Sequence, residues 1–304
     1  LMSFIYLQNY LGLSNGLNII NAGAAPLIES TRGLFAGGNP TTNIINYITI
    51  ASTGNATDFG DLSVARLYMG QNGMSDRTRG CFQGGGTGDP TIDYVTIATT
   101  GNATDFGDLT VGVRHQSGCA DSTRGVAGGG NSSNVLGYIT IATTGNATDF
   151  GDLIGGQNAC GALADSTRGL FAGGHGGTLV AIDYITIATT GNGTDFGDLS
   201  FSRGTHAGVS DGTRGCWGGG TDAATADFNV IDYVTIQTLG NATDFGDLTR
   251  VGSVAGASSD TRGLFGGASN VIDYITIATT GNATDFGDLT YAAGSAHTIG
   301  VDGS

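Results

Sequence analysis

Lysine is missing from this 304-residue chain, and glutamate occurs once, as Glu29. These residues are the usual surface filling of helices, so their scarcity all but excludes a mainly helical protein. Proline is down to 3 against 56 glycines, too little for collagen. The only permanent cations are 11 arginines facing 26 acids, for a formal net charge of −15. That balance disfavours sequence-independent binding to nucleic acid or to anionic membranes. No run approaches the ~20 apolar residues of a membrane-spanning helix. The opening LMSFIYLQNYLGL also lacks the basic start of a signal peptide. What remains is 39% hydrophobic, with 13 Phe and 10 Tyr, which suffices for a core.

The four cysteines do not read as disulfides. Cys81 and Cys216 follow a Thr-Arg-Gly triplet, in a slot held elsewhere by Leu34, Val126, Leu170 and Leu264. A slot shared with Leu and Val is apolar, and free Cys packs there as a small hydrophobe. Cys119 and Cys160 fall at unequal offsets from their triplets, so the expectation is four free thiols.

Self-similarity then decides the architecture. Thr-Arg-Gly recurs at Thr31, Thr78, Thr123, Thr167, Thr213 and Thr261, and Asp-Phe-Gly-Asp-Leu begins at Asp58, Asp105, Asp149, Asp195, Asp244 and Asp285. One unit runs TRG, an apolar pair closed by Gly-Gly, a variable loop, IDYITIATTGNATDFGDL, and a small-residue stretch ending near Asp-Ser. RGLFAGG and IDYITIAT read as strands, the latter from its β-branched and aromatic density. Thr-Gly-Asn reads as a tight turn pairing IDYITIAT with ATDFGDL as a hairpin. The Gly/Ala/Ser-rich stretch suits the most crowded strand, beside a central axis. Four strands per ~45 residues, six times over, predict an all-β six-bladed propeller.

The Gly37-Gly38 pair, Tyr47 and Phe59 in the first copy, with Arg114, His115, Gly129-Gly130 and Tyr138 later, resemble the kelch repeat of galactose-oxidase-like propellers. The resemblance covers residues 31–304 and departs in having Phe where that repeat carries Trp. It implies four-stranded kelch-like blades. The string IDYITIATTGNATDFGDLT is similar to a repeat of structural and tail-fibre-like proteins of marine tailed phages, which implies a virion component.

A ring has to close. Thr290–Ser304 fits the pre-TRG stretch and stops where a TRG would begin, so the C-terminal strand is expected to complete the first blade. Leu17–Ser30 also fits that slot. Residues 1–30 are therefore expected to form an N-terminal arm that docks on other virion proteins or on a copy of the chain, by strand addition for example.

Whatever occurs six times is most simply scaffold, whereas catalysis needs unlike groups around one point. The six TRG arginines are expected to pair with carboxylates of the preceding Asp-Ser or of TDFGDL. The Asp pairs of DFGD lack the alternating calcium loop, so capping of backbone N–H groups is expected and no metal. The six Asn of NAT or NGT match a glycosylation acceptor but read as turn residues. The scattered histidines do not form a copper site, the Asp-box spacing of sialidases is not met, and no G-x-S-x-G elbow supports a hydrolase. Trp217 shares the slot of Phe35, Phe82, Phe171 and Phe265, which places it in the core.

The unrepeated residues are the candidates. The fifth copy's loop, Thr221–Asp232, is the longest and adds Asp222, Asp227 and Phe228, and the fourth carries His175. Loops on a rigid scaffold are where propeller function usually sits. The expectation is a non-enzymatic virion structural or attachment protein, in the virion or extracellular, without cofactor, metal, nucleic acid or membrane. Its candidate ligand is host-surface carbohydrate, at His175, Asp222, Asp227 and Phe228. The alternatives are a secreted or cell-surface bacterial adhesin and a glycan-active propeller enzyme of the sialidase or lyase kind.

Overall fold

The computed structural model describes residues 32–86, 88–175, 179–222, 226–267, 269–292 and 299–302. Their strands form six four-stranded antiparallel sheets set around an axis: the protein is an all-β six-bladed propeller. Among the described residues there is no helix, hence none long and apolar enough to cross a membrane. Blade 4 shows the plan. The inner strand Gly161–Ala164 is followed outward by Arg168–Ala172, Ala181–Thr186 and the outer strand Thr194–Asp198. Because strands alternate in direction, the turns after the first and third strands lie on one face of the disc, here the turn face. The Gly-Gly loops and the blade-to-blade connections lie on the other, the loop face.

The ring closes as expected. Ile299–Asp302 is the inner strand of blade 1 and pairs antiparallel with Arg32–Ala36, Gly33 opposite Asp302 and Ala36 opposite Ile299. Residues 1–31 lie outside the described residues, so the arm does too.

Local sequence explains each strand's place. The second strand is covered on both sheet faces, so Gly169–Ala172 is buried throughout. Inner strands such as Gly161–Ala164, Ala207–Ser210 and Ala255–Ser258 are built of small residues because backbones converge near the axis. A Cβ at Gly208 would collide with the Ala162 carbonyl, and one at Gly256 with that of Gly208. Trp217 is fully buried, as its slot predicts. All four cysteines are buried and unpaired. Burial pushes the Cys81 and Cys160 thiols up to about 12.

The expected hairpin forms, but its turn is not a tight one at Thr-Gly-Asn. In blade 4, Tyr184 pairs with Thr194, so Ile187–Gly193 forms a wide loop. Its tight turn comes early, where Thr189 N–H donates to the Thr186 carbonyl at 3.1 Å. The Gly-Asn that follows leaves its own blade. A bulge between Ile182 and Asp183 turns Phe196 into the core at 2% exposure, and Gly197 follows at φ 147°. A Cβ on Gly197 would strike the Gly240 carbonyl of blade 5, and the other five blades repeat the contact. The glycine of DFGD is therefore the seat of the next blade's turn.

Candidate functional site

The repeated polar residues come first, since their partners decide what is left for function. Each TRG arginine reaches into the next blade: Arg124 Nη1 donates to the Ile187 carbonyl at 3.0 Å and Arg168 Nη1 to that of Ile236 at 2.8 Å. Each guanidinium also covers the tyrosine beside it, Arg168 lying 4.4 Å from the Tyr184 ring centre, and that tyrosine meets Phe196 edge to face. The arginines are scaffold, as expected, but their partners are carbonyls and rings instead of carboxylates. In blades 2 to 5 the aspartate two residues before the triplet bonds backbone, as Asp165 Oδ1 accepts from Thr167 and Arg168 N–H, both at 2.7 Å; in blade 6 the Ser259 hydroxyl takes that place. This is turn-type capping, at aspartates that were expected to pair with the arginines; among the DFGD acids, where capping was expected, Asp105 Oδ1 accepts from Gly107 N–H at 3.2 Å.

The NAT asparagines are a second correction. Asn241 Oδ1 accepts from the Asp198 N–H of the preceding blade at 3.1 Å, and Asn192 likewise from Asp152. Gly240 and Ala242 N–H donate to Phe196 and Asp198 carbonyls of that blade. The Asp of IDY is also a seam residue: buried Asp232 accepts from Ser200 and from Arg203, whose Nη2 lies 3.1 Å away. Arg66 pairs with Asp93 at 2.5 Å and Arg250 with Asp273 at 3.1 Å in the same way.

The axis holds a residue that the repeat pattern did not single out. Asn72 occupies the inner-strand slot filled elsewhere by Ser117, Gly161, Ala207, Ala255 and Ile299. Its Nδ2 donates to the Gly208 carbonyl at 2.7 Å, and its Oδ1 accepts from Gly208 at 3.0 Å and Ala162 at 3.3 Å. Its carbonyl accepts from Gly118 N–H, Gly73 N–H donates to the Gly300 carbonyl, and Gly256 N–H to that of Gln71. The tripeptide Gln71–Gly73 of blade 2 thus bonds to all five other blades. A lone Asn among small or apolar residues at that slot was the available signal.

Above this hub the axis opens on the turn face as a blind cup of about 670 Å³. Asp76, Asp121, Asp165, Asp211 and Asp260 line it, and Arg77 pairs with Asp260 at 3.3 Å. Among the described residues no group of three or more His, Cys, Asp or Glu could hold a metal ion.

The predicted candidates lie on the opposite, loop face, and the fold brings them together where blades 4 and 5 meet. Thr221 pairs with Gly204 on one side and with Asp227 on the other, and Gly220 pairs with Gly252. Phe228 N–H donates to the Gly220 carbonyl at 2.8 Å, and its carbonyl accepts from Gly252 at 3.0 Å. His175 Nε2 lies 3.5 Å from Thr221 Oγ1. Burial lowers the His175 pKa, with Asp222 opposing, so the ring is neutral at pH 7. Asp227 is exposed, and Phe228 is half-buried with its ring centre 4.7 Å from that of Phe201. Fully buried Arg203 lies 4.8 Å from the Phe201 ring centre. Phe201 was missed because it lies in the connection between blades, where no loop insertion marks it. Of the other histidines, His206 is fully buried, and burial holds it well below the usual imidazole range. Compared with known proteins, the chain matches no family model, and no curated protein is significantly similar to it.

Proposed function

We propose that the protein is a non-enzymatic virion structural and attachment component, a rigid disc that presents unlike loops on one face. One observation carries the reading. The TRG arginines and NAT asparagines, present six times, bond to neighbouring blades, whereas His175, Asp222, Asp227 and Phe228 gather at one place on the loop face. A rigid ring with one asymmetric patch suits recognition by loops on a fixed frame. The likeness of the repeat string to tail-fibre-like proteins favours a virion setting over a bacterial surface, and residues 1–30 are the proposed attachment to other virion proteins.

Deleting residues 1–30 should abolish incorporation into particles while leaving a folded, monomeric propeller. Unchanged incorporation would remove the arm from the proposal. The isolated propeller should also compete with intact particles for adsorption to host cells; no competition at saturating concentration would remove attachment.

A further inference from the structure

We propose that the blade 4–5 junction on the loop face is a subsite for an uncharged pyranose, with Phe228 as the platform. This rests on the attachment reading and names the chemical class of its ligand. A buried guanidinium and two half-buried rings pack in series there: Arg203, 0% exposed, lies over Phe201, and Phe201 meets Phe228 edge to face at an interplanar angle of 67°. Backbone bonds at both Phe228 N–H and carbonyl hold its main chain, and the Phe201 ring packs against its side chain, which reduces the freedom to be lost on binding. A flat, immobilised aromatic surface suits the apolar C–H face of a sugar ring.

The polar groups around the ring suit hydroxyls. Asp227 is exposed one residue before Phe228, and its backbone bridges Thr221, the hydroxyl neighbour of His175. The neutral imidazole can donate or accept. The charges select against anions. Asp222 and Asp227 stand at the patch, and the nearest arginine, Arg203, is buried and bound to Asp232. Sialic and uronic acids are therefore disfavoured. The face of Phe201 already carries a guanidinium, so that ring offers a cationic ligand no cation–π site.

Saturation-transfer NMR on the full chain tests this with methyl galactoside, methyl mannoside and N-acetylglucosamine, beside the methyl glycoside of N-acetylneuraminic acid and choline. The expected result is transfer to the ring C–H protons of a neutral sugar and none to the charged probes. Phe228→Ala should weaken binding by about tenfold or more. Asp227→Asn, an exposed change that keeps the backbone bridge, should weaken it severalfold at an unchanged melting temperature. No transfer to any neutral sugar, stronger transfer to a charged probe, or equal affinity in Asp227→Asn and Phe228→Ala and the parent would overturn the subsite. A Phe228→Ala propeller that still competes for cell adsorption as the parent does would sink the subsite and leave attachment standing.

Discussion

The seam between blades 4 and 5 and the seam between blades 3 and 4 share their repeated parts: an arginine on an isoleucine carbonyl, an asparagine on an aspartate N–H, and a turn seated on a glycine. They differ most in the buried acid and the side chain that faces it. At the 4–5 seam buried Asp232 faces Arg203, which also donates to the Val230 and Trp217 carbonyls at 3.1 and 3.0 Å. Burial lowers the Arg203 pKa to about 10, with Asp232 opposing. At the 3–4 seam Asp183, 1% exposed, accepts one hydrogen bond, from Ile154 N–H at 2.9 Å. The slot of Arg203 there holds Gln157, whose Oε1 is buried without a partner, as is Asp183 Oδ1. The other seams follow the same logic. Arg66 in that slot accompanies Asp93, while Val113 accompanies Gly137, where no acid needs a cation. A repeat supplies six interchangeable joints, and the substitutions within a joint decide its strength.

The largest effect belongs to the charged joint. Arg203→Met strands a fully buried carboxylate and should cost about 3–5 kcal/mol in denaturant unfolding. Adding Asp232→Asn to the same chain should recover much of the loss, because the stranded charge is then gone. Gln157→Met at the equivalent slot should change stability by less than about 1 kcal/mol. Equal losses at the two slots would mean that the seams do not differ as described.

The repeated latch should be indifferent to the seam. Arg124→Met and Arg168→Met each remove a bond to an isoleucine carbonyl and a cation–π contact, at the 3–4 and 4–5 seams respectively. Each should cost about 1–2 kcal/mol, with equal shifts of the unfolding midpoint. A difference beyond ~1 kcal/mol would show that the latch depends on the ion pair beside it.

The blade count was legible because hydrophobic slots repeat: Trp217 in a Phe slot and Cys81 in a Leu slot are buried where local pattern puts them. The candidate patch was legible in part, because an insertion marks Asp222, Asp227 and Phe228, while Phe201 carries no local mark. Partners across the seams were not legible. An Asn after Gly has the same local chemistry whether it turns its own chain or caps the next blade, and only ring closure places Asn241 beside Asp198. Asn72 is the extreme case, since its partners Gly208 and Ala162 meet it only across the axis.

The smallest effect tests the uncharged joint through its pH dependence. Burial raises the Asp183 pKa above the usual 3.8, and the like charge of Asp195 adds to it, although the Ile154 N–H works against both. A carboxyl whose folded-state pKa is raised favours folding below its unfolded pKa. It penalises folding increasingly as pH climbs through the folded value. Blade 1 already carries the neutral isostere: Asn46 is buried in the same slot and accepts from Thr290 N–H at 3.1 Å. Asp183→Asn should therefore stabilise the protein by about 1 kcal/mol at pH 7, and the gain should fade as pH approaches 4. Melting curves of both chains from pH 4 to pH 8 read it directly. A pH-independent difference would trace the gain to packing and remove the buried charge as the weakness of the 3–4 seam.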